Sequence, residues 1–505
     1  MGDHKKEIMP GFYEDYRKSQ ERVYCTLPGH RGMYLPGKIT GALTTVCRIR
    51  GAVPLIHGPV GCAFQRKLSV FKPYSMFYDL PCTNLRDHNI VFGGEDALRE
   101  GLIETYERYR PELIVVITTC SSDLIGDNVP AVAREVQASG AVGCKVIYSS
   151  GDFVGMAKRV GAQDVFYAIV DQLLADQPVP ERPSTGVNLI THCDDRARMK
   201  TDEMVSVLGR MGIGINRIYF DQTRVSDLYD LPRAYLNVFL LGAPMVWGDL
   251  AEKKWGMPSY VISPTHEFTD PEKINPYGIE GSAKVFMDIA GCLGKEQTAA
   301  PVIREIKEDA LARLAVLKKD IAGKRVAIIG GFNFHGMGLL VVRDLRMKAC
   351  ALVYRTQRNE HHQLSKDALR EKIRLEVSAT KNYGSDPVVL LNPDADEEIR
   401  ALKAAGTELV ICRSEEAFRY HLAGLKTYSV FNFAYDHARV GFENTLDLAA
   451  EIKAALDQPP RESLLLKMLD YDSLNPNLTR RSAKYQDLFG MIREGEKGGM
   501  FHDHL

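Results

Sequence analysis

The chain has 505 residues, 45% hydrophobic and 26% charged, an ordinary globular composition with room for two to four domains of ~100–200 residues. Its 64 basic and 65 acidic residues leave a formal net charge of −1, which argues against nucleic acid or an anionic membrane surface as a partner. The N-terminal stretch has no apolar signal-like segment and no run of ~18 apolar residues occurs, so the expected compartment is the cytoplasm.

In chain order the sequence repeats one pattern: a short apolar, β-branched run, a glycine-containing loop, then an amphipathic helix. An apolar helical stretch, ITGALTTVCRI (39–49), precedes the first run, AVPLI (52–56). The helix EDALREGLIETYERY (95–109) leads to LIVVIT (113–118), and VPAVAREVQAS (129–139) leads to KVIY (145–148). Proline-rich QPVPERPSTG (177–186) then interrupts the series. Beyond it come VNLIT (187–191), the helix DEMVSVLGRMG (202–212), RIYF (217–220) and SYVIS (259–263). A long helix, PVIREIKEDALARLAVLKKDIAG (301–323), leads into RVAIIG (325–330) and ALVYR (351–355). The helix SKDALREKIRLEV (365–377), the runs VVLLN (388–392), LVIC (409–412) and YSVFNF (428–433), and the helix LDLAAEIKAAL (446–456) complete it.

This alternation predicts an α/β protein of parallel sheets flanked by helices. Eleven strand candidates exceed one comfortable sheet, so they divide into three Rossmann-like domains, 40–180, 186–320 and 324–458. Residues 1–39 form an N-terminal extension, and 459–505 a polar tail expected to contact another subunit.

In open parallel sheets, ligands gather at the carboxyl ends of strands. Cys62 stands there, after the first run through HGPVG, and so does Cys120, after LIVVITT. A third such loop, YSSGDFVG (148–155), brings Ser149, Ser150 and Asp152. Gly58, Gly61 and Gly155 would let backbone approach a bulky inorganic group, because glycine has no Cβ to clash. Two thiolates on converging strand ends begin an iron–sulfur site. The alternative is that both are small buried hydrophobes, the reading that fits Cys47, Cys144, Cys350 and Cys412. The ten cysteines include no CxxC, so a zinc ribbon or a redox pair of the thioredoxin type is not expected.

Three motifs fall short. Gly32, Gly37 and Lys38 nearly spell a P-loop, but Ile39 stands where a magnesium-binding Ser or Thr belongs. GGFNFHGMG (330–338) lacks the dinucleotide spacing GxGxxG. His361, His362 and His335 read as solvated polar residues. No nucleotide is therefore expected on this chain.

IHGPVGC (56–62), DHNIVFGGEDALREGL (87–102) and ITTCSSDLIGDN (117–128) together resemble the nitrogenase component 1 superfamily, with Asn128 in place of the family's second Asp. The likeness runs through RAYLNV (233–238) to the last Rossmann-like unit. It implies paired subunits of three such domains in an α₂β₂-type heterotetramer. It also implies an iron–sulfur cluster of the P-cluster type, shared between an α-like and a β-like subunit, and electrons from a separate ATP-hydrolysing iron protein.

By this resemblance Cys62 and Cys120 match the second and third cluster cysteines. Their separation of 58 residues and PYGIEGSAKVFMDIAG (276–291) are like those of β-type subunits. The first cluster cysteine falls near Gly37, which cannot ligate, leaving Cys25 as an upstream substitute. Asp152 matches a serine that β-type subunits carry near the cluster and is a candidate oxygen ligand. Leu241 and Phe433 stand where α-type subunits hold the catalytic cofactor, so none is expected here, nor a catalytic residue.

The implied role is the β-like subunit of an ATP-dependent reductase, relaying electrons to a metallocofactor in its partner. The departure at the first cysteine argues against dinitrogen. The resemblance is instead to a methylthio-alkane reductase component, which cleaves C–S bonds. The alternatives are a nitrogenase β subunit, a non-catalytic cofactor-assembly scaffold, and a Rossmann-type sugar-nucleotide enzyme without iron.

Overall fold

A computed structural model describes residues 38–68, 79–149, 158–178, 186–191, 201–220, 223–240, 245–262, 276–330, 338, 340–354, 366–391, 393–412, 414–429 and 440–458. The chain separates into two compact units, one reaching residue 263 and including 286–302, the other made of 264–285 and 303 onward.

The first unit opens with α1 (Lys38–Val46), β1 (Ile49–Arg50) and β2 (Ala52–His57). After β2 come α2 (Val60–Leu68), α3 (Asp87–Phe92) and α4 (Glu95–Tyr109). β3 (Leu113–Thr118), α5 (Cys120–Ile125), α6 (Val129–Ala138), β4 (Lys145–Ser149) and α7 (Lys158–Ala168) follow. Strands β2, β3 and β4 form a parallel sheet in that order. All six residues of β3 are buried, because a central parallel strand is covered on both faces, and LIVVIT is accordingly an unbroken apolar run. Helix α4 begins with Glu95 and Asp96, whose charges suit the positive helix N-terminus, and it buries Leu98 and Leu102.

The two sheet edges are finished differently. Beside β4, Gln172 substitutes for a strand: its Oε1 accepts Tyr148 N–H at 2.9 Å and its Nε2 donates to Tyr148 O at 3.0 Å. Beside β2, residues 81–83 bond to Ile56 through its N–H (to Pro81 O, 3.0 Å) and its carbonyl (from Thr83 N, 3.0 Å). That contact brings Cys82 to the sheet. Lys38, the lysine of the near-P-loop, is buried with its amine 2.6 Å from Asp164 of α7.

The same unit continues with β5 (Gly186–Ile190), α8 (Asp202–Arg210), β6 (Gly214–Tyr219) and β7 (Thr223–Arg224). α9 (Val225–Leu228), β8 (Leu236–Phe239), α10 (Met245–Trp255) and β9 (Ser259–Val261) complete it. The parallel order is β6-β5-β8-β9, with β1 paired to β7. Strand β8 is not among the runs expected from sequence. Its apolar pattern is interrupted by Asn237, which is buried and accepts from Asn188 Nδ2 at 2.9 Å.

Helices α11 (Gly278–Cys292) and α12 (Glu296–Leu317) lead to the last sheet. It contains β10 (Arg325–Ile329), β11 (Lys348–Tyr354), α13 (Lys366–Asn382), β12 (Val388–Leu391) and α14 (Ala395–Ala404). β13 (Leu409–Cys412), α15 (Ser414–Leu422), β14 (Thr427–Ser429) and α16 (Phe442–Asp457) follow. The order β12-β11-β10-β13-β14, all parallel, is doubly wound. The α/β class with parallel, helix-flanked sheets is thus the fold expected from sequence.

Candidate functional site

Strands β2 and β3 end level, His57 paired with Thr118, and each hands the chain to a helix bearing a cysteine. Cys62 is the third residue of α2; its N–H donates to Pro59 O at 3.0 Å, and it is half-buried against the core. Cys120 is the first residue of α5 and is exposed. Thr119 caps that helix, its N–H donating to Ser122 Oγ at 2.9 Å. The two turns lie so close that a Cβ on Gly58 would stand 2.3 Å from Thr119 Oγ1, so only glycine fits. A Cβ on Gly61 would meet nothing within 4 Å, so the space beside Cys62 is open.

Ser149, at the end of β4, is buried, and its hydroxyl finds no hydrogen-bond partner among the described residues. Cys25, Asp152 and Gly155 lie outside the described residues, as do Gly37, Leu241, Phe433, His335, His361 and His362. The cysteines read as core behave as such. Cys350 and Cys412 are buried, and Cys47 and Cys144 half-buried. Burial pushes the Cys47 thiol up to about 12 and raises those of Cys144 and Cys350, keeping all three neutral.

Sequence reasoning missed two features here. The first is Cys82, half-buried beside β2: its Sγ accepts Asn84 N–H at 3.4 Å and donates to Gly58 O at 3.2 Å. The second is a polar hub on His57, whose side chain is fully buried. Nε2 lies 2.9 Å from Asp127 Oδ2, and Nδ1 lies 3.1 Å from Thr83 Oγ1. Asp127 Oδ1 also accepts Gly94 N–H at 2.7 Å. Burial lowers the His57 pKa, with Asp127 and Asp123 pulling the other way, so the ring is neutral near pH 7. IGDN, which supplies Asp127, was visible in the sequence, but its partner was not.

Large apolar side chains are exposed on the helices around the two cysteines. Val60 and Phe64 on α2, Ile90, Val91 and Phe92 on α3, and Leu124 on α5 are exposed, Phe92 by 86% and Leu124 by 73%. Among the described residues, no three His, Cys, Asp or Glu side chains converge to hold a metal ion. Half-buried Cys62 and exposed Cys120 follow the ends of adjacent strands, next to a close backbone approach at Gly58.

Comparison with known proteins decides the family. The profile described as nitrogenase component 1 type oxidoreductase matches residues 38–457. The chain belongs to the nitrogenase component 1 family. Family proteins bind iron–sulfur clusters and form α/β assemblies served by an iron protein. The chain is 25% identical over 446 residues to the nitrogenase iron-molybdenum cofactor biosynthesis protein NifE of Methanococcus maripaludis, covering 84% of this chain and 85% of that protein. It is 24% identical over 460 residues to the nitrogenase molybdenum-iron protein alpha chain of Methanothermobacter thermautotrophicus, covering 86% and 88%. The solved structure of nitrogenase Cp1 at pH 5 shares the fold, with a TM-score of 0.62 at 18% identity over 90% of this chain and 96% of that one.

Proposed function

We propose that this chain is the β-like subunit of an ATP-dependent nitrogenase-like reductase, in which Cys62 and Cys120 ligate an iron–sulfur cluster shared with an α-like partner. The observation that carries the reading is that adjacent parallel strands end level and each leads at once into a helix that opens with a cysteine in its first turn, with large apolar side chains exposed on both helices. When bound, the cluster supplies low-potential one-electron relay between an ATP-hydrolysing iron protein and a metallocofactor in the partner. The chain's own part is to present two thiolates and to admit the cluster through the glycine turn. Val60, Phe64, Val91, Phe92 and Leu124 would keep water out once partners cover them. Cys25 and Asp152 are the further ligand candidates, and the chain is read as three Rossmann-like domains, 40–180, 186–320 and 324–458.

For the reaction, we assign reductive cleavage of C–S bonds in methylthio-alkanes, supported by the family resemblance and by Gly37 at the first cysteine's place. A second reading, a non-catalytic scaffold for cofactor assembly, is favoured by the similarity to NifE proteins. Dinitrogen reduction is the third.

The test is iron and acid-labile sulfide in the chain purified without oxygen together with its co-expressed partner. Several irons per chain are expected, falling by half or more in Cys62→Ala and Cys120→Ala while circular dichroism is unchanged. A native complex without iron, or variants that keep it all, would sink the assignment. With the iron protein, ATP and a reductant, thiol release from a methylthio-alkane separates the reductase from a scaffold, which turns nothing over.

A further inference from the structure

The open face of the first sheet raises a positional problem: two thiols on separate turns must point at one place. Cys62 lies in the first turn of α2, after the β2–α2 turn, and Cys120 opens α5, after the β3–α5 turn, with only two residues and one residue separating strand from helix. Something must hold the turns in a fixed relation, and one residue touches both.

His57 is the last residue of β2. Its carbonyl oxygen accepts two hydroxyls from the other turn, Thr119 Oγ1 at 3.1 Å and Ser122 Oγ at 2.9 Å, one on either side of Cys120. Its ring reaches further along the same segment: Nε2 meets Asp127, just beyond α5. The other oxygen of Asp127 accepts Gly94 N–H at the start of α4. On the opposite edge of the ring, Nδ1 meets Thr83 Oγ1, which also accepts Gly58 N–H at 3.1 Å. The segments at residues 83 and 119–127 thus bond directly to His57, and Gly94 joins them through Asp127.

The proton assignments follow from the partners. A carboxylate oxygen only accepts, so Nε2 carries the hydrogen. Nδ1 then accepts, and the Thr83 hydroxyl donates to it while accepting from Gly58. Every polar atom of the hub is satisfied with the imidazole neutral, although the ring is fully buried and the Asp127 side chain only 2% exposed. Glycine makes the closure possible: a Cβ on Gly94 would lie 2.5 Å from Asp127 Oδ2 and 3.2 Å from His57 Cε1.

We propose that His57, oriented by Asp127 and Thr83, is the positioning residue that locks the Cys62 turn to the Cys120 turn. The proposal deepens the cluster reading and rests on it for its purpose, but the lock is a property of this chain and can be measured without metal. His57 acts through Gly58, Thr119 and Ser122.

The experiment is site-resolved alkylation of the iron-free, full-length chain with iodoacetamide, read by mass spectrometry. Cys62 is the reporter, exposed Cys120 the fast reference and buried Cys412 the core reference. His57→Ala and Asp127→Ala should each speed Cys62 alkylation about fivefold, the factor carried by one net hydrogen bond, with Cys412 unmoved. Asp127→Asn should stay within about twofold of the native rate. The introduced amide can accept from Gly94 and donate to Nε2, the ring then donating from Nδ1 to Thr83. That rescue is not expected if the carboxylate's charge matters only for overall stability. If His57→Ala does not accumulate, His57→Gln keeps a donor toward Asp127 but loses Thr83, and its rate should fall between native and Asp127→Ala.

A native Cys62 rate in His57→Ala or Asp127→Ala overturns the proposal, as does an equal rise at Cys412 or an Asp127→Asn protein as fast as Asp127→Ala. The cluster reading stands or falls separately, on the iron content of Cys62→Ala.

Discussion

At the scale of single residues, chemistry and packing ask different things of the same loop. Cys62 and Cys120 could be picked out because each follows a strong apolar run and sits among glycines or hydroxyls. Their supports could not: His57 meets Thr83 across 26 residues and Asp127 across 70, separations with no local pattern. The buried ring has a consequence for pH. In the unfolded chain a histidine titrates at about 6.5, whereas in the fold burial holds His57 below that value. Below about pH 6.5 the unfolded state therefore binds the proton first, and the stability contributed by the neutral, fully bonded ring is lost as pH falls. Above that pH it is fully present. Native protein should exceed His57→Gln in thermal midpoint at about pH 8, and the gap should narrow toward about pH 5. A gap that widens on acidification would mean the ring is charged in the fold.

At the scale of elements, the alternating pattern was readable wherever burial alone wrote it. LIVVIT and LVIC coincide with β3 and β13, and the helix at 95–109 with α4. The misses have physical causes. The paired β1 and β7 are two residues each, too short for any periodicity. Strand β8 carries a polar ladder through its middle instead of an apolar run. Asn216 Nδ2 donates to Asn188 Oδ1 at 2.8 Å, and Asn188 Nδ2 donates both to Asn237 Oδ1 and to Leu231 O at 2.9 Å. The ladder crosses three neighbouring strands, and Asn188 and Asn237 are fully buried. Asn237→Leu would leave one Asn188 N–H unpaired in the interior, and it should cost about 1–3 kcal/mol in urea unfolding. Asn188→Leu combined with Asn237→Leu should cost less than the two single changes added, because the pair shares one bond. Strict additivity would mean that the amides do not interact in solution.

At the scale of the whole molecule, a net charge of −1 gives no long-range attraction toward a partner of either sign, which draws attention to exposed apolar side chains. Six large exposed apolar residues lie on the three helices that bear or border the two cysteines. In the isolated chain, Phe92 and Leu124 already face solvent, so Phe92→Ser or Leu124→Ser should change its thermal midpoint little. Burying either side chain under a partner is worth about 1.5–3 kcal/mol. Each substitution should therefore weaken binding to a partner subunit or to an iron protein about tenfold or more. Sedimentation of the native and substituted chains with each partner separates the possibilities. Weakened binding to a partner subunit would place these side chains at the subunit junction, and weakened binding to an iron protein alone would place them at its docking site. Native affinity for both would mean that these apolar side chains serve neither partner, and would count against the proposal that Cys62 and Cys120 hold a cluster shared across an interface.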